Sequence, residues 1–419
     1  MDCFEIVGKN HLEGNIVVSG AKNAVLPIMA ASILNNSPLK IKNVPTLSDS
    51  KTMAAILESM GSKVSFSNDD IINIDNSGLN IPFASYDLVR TMRASFYVLG
   101  PLLAKFKQAK VSLPGGCAWG PRPVDFHINA FEQLGVKIDL ENGYVVADAS
   151  NIKGGKIHFP KISVGATGNV LMLAVLADGV TVITNAAAEP EIQQLCQMLN
   201  NMGADISGVG TNTLTIKGVT SLKNLEEISI IPDRIEAGTF MIATAAVGGK
   251  VILENVNPLH LKEVTKQLTN VGITVIEKSN IIEVHSEGNN IKFSNIETNE
   301  YPGFPTDLQA QWMLLMCLAN GDSTLKENIY FDRFTHILEL NRLGCKISLE
   351  GSLAKIKGNR NLIGANVMST DIRASAALII AALCAEGKTS ISRVYHIDRG
   401  YDKIEEKLTK LGAQIIRKK

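Results

Sequence analysis

The segment FEQLGVKIDL at residues 131–140 recurs in related form at five other places in the chain, and this repetition decides the fold. The other copies are LESMGSKVSF (57–66), LNNMGADISG (199–208), QLTNVGITVI (267–276), LNRLGCKISL (340–349) and KLTKLGAQII (407–416). In each copy a helix-like start reaches a glycine and continues into a stretch rich in Val and Ile. Glycine favours the left-handed end of a helix, and alternating β-branched residues favour a strand. Spacings of 68 to 74 residues between the glycines predict six copies of one unit.

Ahead of each copy lies a second segment that is apolar on nearly every side. These segments are NAVLPIMAASILNN (23–36), SFYVLGPLLAKF (95–106), NVLMLAVLADG (169–179), GTFMIATAAVGG (238–249), AQWMLLMCLANG (310–321) and SAALIIAALCAEG (375–387). A helix that is apolar all round is buried, so each unit should contain one buried helix, one amphipathic helix and several strands. A solenoid is the alternative, but its usual repeat is shorter. Six units divide into three plus three, and 419 residues predict two domains.

Composition excludes several classes of protein. The 41 basic and 41 acidic residues cancel, which argues against a nucleic-acid partner but allows a local basic pocket. The N-terminus lacks the basic start and apolar run of a signal peptide, and the apolar stretch 374–385 is too short to cross a bilayer. The six cysteines show neither CxxC pairs nor zinc spacing. We therefore expect a cytoplasmic protein with reduced thiols, no membrane association and no metal.

Polar residues precede the buried helices and are candidates for anion binding. They are Ser19 to Asn23, Arg90 to Arg93, Ser163 to Thr167, Asp233 to Glu236, Thr306 with Asp307, and Asp371 to Arg373. Helix N-termini carry unpaired N–H groups and partial positive charge, so they suit phosphates and carboxylates. Simple capping by Ser, Thr and Asp is the alternative. Capping does not explain Lys22, Arg93 and Arg373, because cations are unfavourable at that end, and these three indicate an anionic ligand.

The segment PGGCAWGPRPVDFH at 114–127 is the most distinctive in the chain. Its Gly and Pro content predicts a loop. Cys117 stands in this loop near Arg122 and His127, a setting that favours a reactive thiolate, although a lone cysteine is more often structural. Cys317 and Cys384 lie in predicted buried helices and are interpreted as packing residues.

Several motifs together resemble one family. They are SGAKNA (19–24), RTMRAS (90–95), the cysteine loop (114–127), SVGAT (163–167), PDRIEAGTF (232–240), FPTDLQAQ (304–311), TDIRAS (370–375) and YHIDRGY (395–401). This set, spread over the whole chain, resembles the enolpyruvyl transferases that act on UDP-N-acetylglucosamine. The resemblance implies an α/β fold, a two-domain inside-out α/β barrel of six βαβαββ-type repeats, three per domain, with buried helices and outer sheets. Domain one would cover 22–231, and domain two 1–21 with 232–419, closing a cleft around substrate.

The resemblance also implies an activity. The family transfers the enolpyruvyl group of phosphoenolpyruvate to the 3-hydroxyl of UDP-N-acetylglucosamine with release of phosphate, the first committed step of peptidoglycan synthesis. Cys117 would protonate C3 and form a covalent adduct with phosphoenolpyruvate, and Asp307 would be the base for the sugar hydroxyl. Lys22, Asn23, Arg122 and Arg399 would bind phosphoenolpyruvate, with Lys22 and Arg399 also counted as catalytic. No cofactor is implied.

The expected UDP-N-acetylglucosamine contacts form a larger set. They are Asn23, Arg93, Arg122, Pro123, Val124, Asp125, Phe126, Lys161, Ile162, Ser163, Val164, Gly165, Asp307 and Ile329. Asp371 and Arg373 would lie near the reacting centre, and Arg333 is a candidate for closure between the domains. Trp119, Pro121 and Ala188 depart from the family pattern. The first two would alter the mobility of the loop and not the reaction, and Ala188 replaces a basic residue that could form an ion pair between loops.

Four other interpretations remain. A 5-enolpyruvylshikimate-3-phosphate synthase would share the repeats but lack the cysteine loop. Ser19-Gly-Ala-Lys22 satisfies the S-x-x-K pattern of serine acyl enzymes without its companion motifs. Gly387-Lys388-Thr389 matches the end of a P-loop pattern, but Ala382 occupies the position where that pattern requires its first glycine. An inactive binding paralogue is the non-enzymatic alternative, and the presence of acid, base and cations argues against it. The sequence leaves the oligomeric state open.

Overall fold

The chain folds into two compact units. The computed structural model describes residues 2–67, 70–114, 124–359 and 361–418. One unit comprises Met1–Ser19 together with Pro232–Lys419, and we call it the split unit. The other, Gly20–Ile231, is the continuous unit. The chain therefore passes from one unit to the other at two connections.

The helices and strands follow one another in the same pattern throughout. The split unit begins with β1 (Cys3–Val7) and β2 (Leu12–Val17). The continuous unit contains α1 (Lys22–Ala31), β3 (Leu39–Lys42), α2 (Ser48–Ser59), β4 (Lys63–Ser67), β5 (Ile71–Asp75), β6 (Phe83–Ala84), α3 (Tyr86–Val89), α4 (Leu99–Phe106), β7 (Gln108–Ser112), α5 (Asp125–Gln133), β8 (Lys137–Glu141), β9 (Tyr144–Asp148), β10 (Lys156–His158), α6 (Val164–Ala174), β11 (Val180–Thr184), α7 (Pro190–Asn201), β12 (Asp205–Ser207), β13 (Thr213–Lys217) and β14 (Glu227–Ser229).

The split unit resumes after the second connection. It contains α8 (Arg234–Val247), β15 (Gly249–Glu254), α9 (Lys262–Asn270), β16 (Thr274–Glu277), β17 (Ile281–Ser286), β18 (Ile296–Glu297), α10 (Gln309–Leu318), β19 (Ser323–Lys326), α11 (His336–Arg342), β20 (Lys346–Glu350), β21 (Leu353–Lys357), β22 (Asn366–Met368), α12 (Ile372–Cys384), β23 (Lys388–Ser392), α13 (Ile404–Lys410) and β24 (Gln414–Lys418). Short 3-10 helices occupy Ser32–Leu34, Arg93–Val98, Pro258–Leu261, Thr306–Leu308 and Val394–Arg399.

Each repeat forms one four-stranded sheet. In the continuous unit the strand orders are β14-β3-β5-β4, β6-β7-β9-β8 and β10-β11-β13-β12. In the split unit they are β16-β17-β15-β2, β18-β19-β21-β20 and β22-β23-β1-β24. Every sheet has one parallel pair, whose strands flank a buried helix in most repeats, and two antiparallel pairs. In five sheets one antiparallel pair is a hairpin, and in the sixth β1 pairs with β24 from the other end of the chain. This arrangement confirms the predicted βαβαββ repeat.

Two kinds of helix alternate within the repeats. The helices α1, α6, α8, α10 and α12 are buried along nearly their whole length, as their apolar sequences predict. The amphipathic helices end at Gly61, Gly135, Gly203, Gly272, Gly344 and Gly412, whose φ angles of 87° to 105° are left-handed. A side chain is strained at such φ values, so glycine ends the helix and turns the chain into the hairpin. The six predicted helix ends are thus confirmed.

Each unit has its own hydrophobic core. In the continuous unit α4 packs against α6, and α1 packs against α7. In the split unit α12 packs against both α10 and α8. The buried helices therefore form the interior of each unit, and their N-terminal ends position the polar residues that precede them in the sequence. Among the described residues, no helix combines the length and the apolar character needed to cross a membrane.

Candidate active site

Part of the predicted cysteine loop lies outside the described residues. Cys117, Arg122 and Pro123 lie in 115–123, outside the described residues. Their proposed roles therefore stay predictions from the sequence. The loop is framed by β7, which ends at Ser112, and by α5, which begins at Asp125.

The α1 end of the continuous unit carries a buried ion pair. Lys22 is the first residue of α1 and is 8% exposed, and its Nζ lies 2.7 Å from Oδ2 of Asp49. Asp49 is itself 4% exposed and sits in the first turn of α2. No side chain caps α1 at Ala21, while the neighbouring Asn23 is exposed. An ammonium group held in place beside uncapped helix N–H groups suits an anionic ligand.

The start of α6 gathers much of the predicted sugar-nucleotide set. Ser163 caps the helix by accepting a hydrogen bond from the N–H of Ala166 at 3.3 Å. Lys161 is exposed, and Ile162, Val164 and Gly165 are half-buried around this end. The carbonyl of Val164 accepts a hydrogen bond from the hydroxyl of Tyr97 at 3.4 Å. The end therefore offers backbone donors and one lysine to solvent.

The beginning of α5 lies beside this helix start. Val124 is buried, Phe126 is half-buried with its ring 6.4 Å from that of Phe159, and Asp125 is exposed. A Cβ added at Gly165 would come within 3.3 Å of the His127 ring, so α5 and the α6 start are in close contact. The structure thus brings the predicted runs 124–126 and 161–165 together.

Asn169 on α6 fixes the state of His127. The side-chain oxygen of Asn169 accepts from the N–H of Gly100 at 2.7 Å, so its amide nitrogen must face the carbonyl of Phe96 and Nδ1 of His127. Nδ1 therefore accepts, and the proton of the neutral ring is on Nε2. Burial and the nearby charge of Arg93 lower the pKa of His127 from 6.5 to about 3. Arg93, at the start of its 3-10 helix, is half-buried.

In the split unit, Asp307 is held between two arginines. Its Oδ1 lies 2.8 Å from Nη1 of Arg333, and its Oδ2 lies 2.8 Å from Nη2 of Arg373. Burial alone would raise the pKa of Asp307, but the two guanidinium groups outweigh burial and hold the pKa well below its usual range. The same contact raises the pKa of Arg373 against the opposing effect of burial. Asp307 is therefore ionised and oriented, with its side chain still 22% exposed.

Two aspartates cap the helices of the split unit. Asp371 accepts hydrogen bonds from the N–H groups of Arg373 and Ala374 at 2.9 and 3.1 Å. Asp233 accepts from the N–H groups of Ile235 and Glu236 at 2.8 and 3.1 Å. Each carboxylate satisfies two N–H groups that the helix itself leaves unpaired. For these two acids the capping interpretation is confirmed.

Glu327 organises the segment that contains Ile329, and sequence reasoning missed it. This fully buried carboxylate accepts from the N–H groups of Ile329 and Tyr330 and from the hydroxyls of Thr298 and Thr306. Thr306 also accepts from Arg333 at 3.0 Å and adjoins Asp307. Glu327 therefore links half-buried Ile329 to the Asp307 cluster. No motif signals Glu327, because its two hydroxyl partners, Thr298 and Thr306, lie 29 and 21 residues away.

Arg399 ends the 3-10 helix Val394–Arg399 and is half-buried. The next residue, Gly400, has no room for a side chain, because a Cβ there would come within 2.2 Å of Ile372. Tyr401 follows, and its hydroxyl lies 2.9 Å from that of Thr239 on α8. Arg399 is therefore placed next to the start of α12, whose second residue is Arg373.

The predicted site residues thus form two sets, one in each unit. The set of the continuous unit supplies Lys22, the α6 start and a neutral histidine. The set of the split unit supplies an ionised carboxylate and several guanidinium groups. Within the described ranges, no three His, Cys, Asp or Glu residues are arranged to hold a metal ion. Such sets can bind phosphates and carboxylates and accept a proton.

Two of the rival interpretations do not fit the local structure. Lys388 and Thr389 lie in the strand β23, whereas a P-loop leads into a helix, and Lys388 pairs with Glu5 at 2.7 Å. The hydroxyl of Ser19 accepts a hydrogen bond from Nζ of Lys407 at 2.7 Å, so its partner is not the lysine of the S-x-x-K pattern.

Comparison with known proteins gives matches over the full length. Residues 6–408 match the family of EPSP synthase (3-phosphoshikimate 1-carboxyvinyltransferase). Two relatives called UDP-N-acetylglucosamine 1-carboxyvinyltransferase are 48% identical: one from Helicobacter pylori (strain ATCC 700392 / 26695), over 100% of both chains, and one from Chlorobium luteolum (strain DSM 273 / BCRC 81028 / 2530), over 100% of this chain and 99% of the relative.

Solved structures support the fold. The enolpyruvyl transferase NikO from Streptomyces tendae superposes with a TM-score of 0.90 at 24% identity, covering 99% of this chain and 98% of that one. An EPSP synthase from Acinetobacter baumannii superposes with a TM-score of 0.77 at 19% identity over 100% of both chains. These likenesses confirm the predicted two-domain inside-out α/β fold.

Proposed function

The chain belongs to the EPSP synthase family and, within it, to the UDP-N-acetylglucosamine 1-carboxyvinyltransferases, and we propose that it catalyses the reaction for which those relatives are named. The enolpyruvyl group of phosphoenolpyruvate passes to the 3-hydroxyl of UDP-N-acetylglucosamine, and phosphate is released. This is the first committed step of peptidoglycan synthesis. The observation that carries the proposal is full-length similarity at 48% identity combined with an ionised carboxylate, Asp307, oriented by two arginines.

The reaction needs an acid, a base and cations. Protonation of C3 of phosphoenolpyruvate makes C2 electrophilic, and the sugar oxygen then forms a bond to C2 as its proton leaves. The resulting adduct loses phosphate from C2 and a proton from C3, which leaves the enol ether. We assign the first proton donation to Cys117, together with the covalent adduct, on the resemblance of its loop.

Asp307 is the proposed base despite its low pKa. An ordinary sugar hydroxyl would not give its proton to so weak a base. As the hydroxyl oxygen bonds to the cationic C2, however, its proton becomes strongly acidic, and a weak carboxylate suffices. The charge of Arg333 and Arg373 lowers the pKa of Asp307 and so favours the ionised form that can accept a proton. A closing role for Arg333 between the domains stays a prediction beside this observed contact.

Cations are assigned to phosphoenolpyruvate, which carries both phosphate and carboxylate. We propose Lys22, Asn23, Arg122 and Arg399 for this ligand, since Arg forms bidentate contacts and Lys acts as a point charge. Asp371 and Arg373 are proposed to support the reacting centre.

The proposed UDP-sugar contacts follow the resemblance residue by residue. From the continuous unit we propose Asn23, Arg93, Arg122 to Phe126, and Lys161 to Gly165. From the split unit we propose Asp307 and Ile329. Support comes from the α6 start, where backbone N–H groups and Lys161 suit a diphosphate. We also propose that the enzyme works in the cytoplasm, which the free cysteines among its described residues favour, and without a nucleic-acid partner.

The test is phosphate release from phosphoenolpyruvate, measured with UDP-N-acetylglucosamine and in parallel with shikimate 3-phosphate. Release that requires the UDP-sugar is expected for the wild type and for the control Cys3→Ala, whereas Cys117→Ala should release none near neutral pH. Release with shikimate 3-phosphate alone would refute the proposed substrate. Full activity of Cys117→Ala would refute the proton-donor assignment only.

A further inference from the structure

All three guanidinium nitrogens of Arg417, at the end of the split unit, donate hydrogen bonds within that unit. Arg417 lies on β24, which is an edge strand. Its Nη1 and Nη2 donate to the two carboxylate oxygens of Asp398 at 2.9 and 2.6 Å, and its Nε donates to Glu405 at 2.6 Å. The guanidinium carbon lies 4.8 Å from the centre of the Phe4 ring. A forked contact to one carboxylate fixes both partners in orientation as well as in distance.

Asp398, which accepts this forked contact, immediately precedes Arg399 in the chain. The 3-10 helix that ends at Arg399 has six residues and follows Arg393, which has a left-handed φ of 58°. A short 3-10 helix has poor hydrogen-bond geometry, and a left-handed non-glycine residue costs free energy, so this segment needs outside contacts to keep its shape.

The residues that follow Arg399 in the chain are held in place by buried contacts. Gly400 packs against Ile372, and Tyr401 is 2% exposed and joined to Thr239 and Gln311. Before Arg399 in the chain, the side chain of Asp398 is 42% exposed and is held by its fork with Arg417. Loss of this fork would release the backbone before Arg399, while the residues after it would stay fixed.

We propose that Arg417 is a positioning residue for phosphoenolpyruvate binding, acting through Asp398 to hold Arg399 in place. This inference rests on the proposed function, which assigns Arg399 to phosphoenolpyruvate. Arg417 itself contacts no substrate. Its second partner, Glu405 on α13, braces the guanidinium group so that the fork keeps one orientation.

The chain offers a matched control on the same strand. Lys418 is the next residue, and its Nζ pairs with Glu5 at 2.6 Å, away from Asp398. Arg417→Gln removes the charge and the fork, Arg417→Lys keeps the charge without the fork, and Lys418→Gln removes an equivalent surface pair. Exposed single ion pairs contribute little to stability, so Lys418→Gln should behave as wild type.

The experiment is steady-state phosphate release, with KM measured separately for each substrate, and with thermal unfolding as a check on folding. For Arg417→Gln we expect KM for phosphoenolpyruvate to rise about tenfold, because small misplacements of a binding group are costly, while KM for UDP-N-acetylglucosamine changes less than about twofold. Arg417→Lys should show most of that rise, since a point charge cannot form the fork.

A double-mutant cycle isolates the fork. Asp398→Asn should raise KM for phosphoenolpyruvate in the same direction, and adding Arg417→Gln should give little further change, because both substitutions remove one interaction. An active wild type with an unchanged KM in folded Arg417→Gln would overturn this inference alone, as would equal rises in both KM values. A wild type without UDP-sugar-dependent release would overturn the proposed function and this inference together.

Discussion

Two buried helices of the split unit begin with carboxylate caps, whereas α10 in that unit and α1 in the continuous unit have no side-chain cap. In the continuous unit, α1 has no side-chain cap and starts at Lys22, and α6 has one capping contact from Ser163. In the split unit, α8 and α12 start behind Asp233 and Asp371, and each carboxylate accepts two backbone N–H groups. Helix starts without a carboxylate keep donors for a ligand, whereas a carboxylate cap uses them internally.

The cationic side chains of the two units also differ in their partners. The ammonium of Lys22 pairs with the single carboxylate of Asp49, but Asp307 draws two guanidinium groups to itself. Anion binding in the continuous unit can therefore come from helix ends and from Lys22. In the split unit α8 and α12 use their first donors for caps, so arginine side chains become the main cations, and they also control the ionisation of Asp307. The units share one fold, and under the proposed function they would divide the chemistry.

The largest expected effect is at Asp307, and it tests the split unit's role in chemistry. Asp307→Asn should lower kcat by about 10² to 10⁴, the usual contribution of a general base, as measured by phosphate release. Asp322→Asn is the control, because Asp322 forms an exposed pair with Lys357. Normal turnover of Asp307→Asn would mean that the two units do not divide the chemistry in this way.

Lys22 provides the corresponding test in the continuous unit. Lys22→Met should raise KM for phosphoenolpyruvate and also lower the free energy of unfolding by roughly 3 kcal/mol, because it leaves the buried Asp49 without its counter-charge. The double variant Lys22→Met/Asp49→Asn should regain much of the stability while KM stays high. Recovery of KM along with stability would remove Lys22 from the anion-binding set.

Acid stability should distinguish the histidine of the continuous unit. The pKa of His127 falls from 6.5 to about 3 through burial and Arg93, so the unfolded chain binds a proton that the folded chain does not. The contribution of the neutral His127 ring to the free energy of unfolding is therefore fully present above pH 6.5. It is lost as pH falls towards 3, by roughly 2 kcal/mol at pH 5.

His127→Gln should remove this pH dependence, as followed by urea unfolding between pH 7 and 4. His336 in the split unit is the comparison, because burial lowers its pKa to about 4 and the same sign applies. An unchanged slope in His127→Gln would show that the ring is not buried in its neutral form.

The smallest effect concerns the caps themselves. Asp233→Ala removes two backbone contacts and should cost about 1 kcal/mol of unfolding free energy, whereas Ser163→Ala removes one contact of 3.3 Å and should cost less. Chemical denaturation of both variants gives the comparison. Equal costs would erase the proposed difference between the helix starts of the two units.

Much of the fold could be predicted because it depends on local rules. The six glycines after amphipathic helices adopt the left-handed φ that their position required, and the all-apolar segments form buried helices. Repetition strengthened each assignment, since one pattern had to hold six times. The strand order could not be read from the pattern: β1 and β2, near the N-terminus, complete sheets whose other strands come from the last three repeats.

The candidate site was less accessible from the sequence. Residue types near helix starts indicated Lys22, Asp307 and Arg373, but the contacts between Asp307 and its arginines join positions 26 and 66 residues away. Glu327, Asp49 and Asn169 were missed because a single acid or amide carries no periodic signal. The position of Arg373 at a helix start predicted an external anion, and the structure supplies the carboxylate of Asp307 from within the chain.

The sequence by itself determined the repeat, the buried and amphipathic helices, the helix ends and the likeness to one family, because these depend on residues close together in the chain. Only the tertiary structure decided which carboxylates are caps, that Asp307 is ionised between two arginines, and that Asn169 sets the tautomer of His127. Those properties arise from burial and from partners brought together by packing. Charge interactions and hydrogen bonds become strong and selective only where folding has removed water.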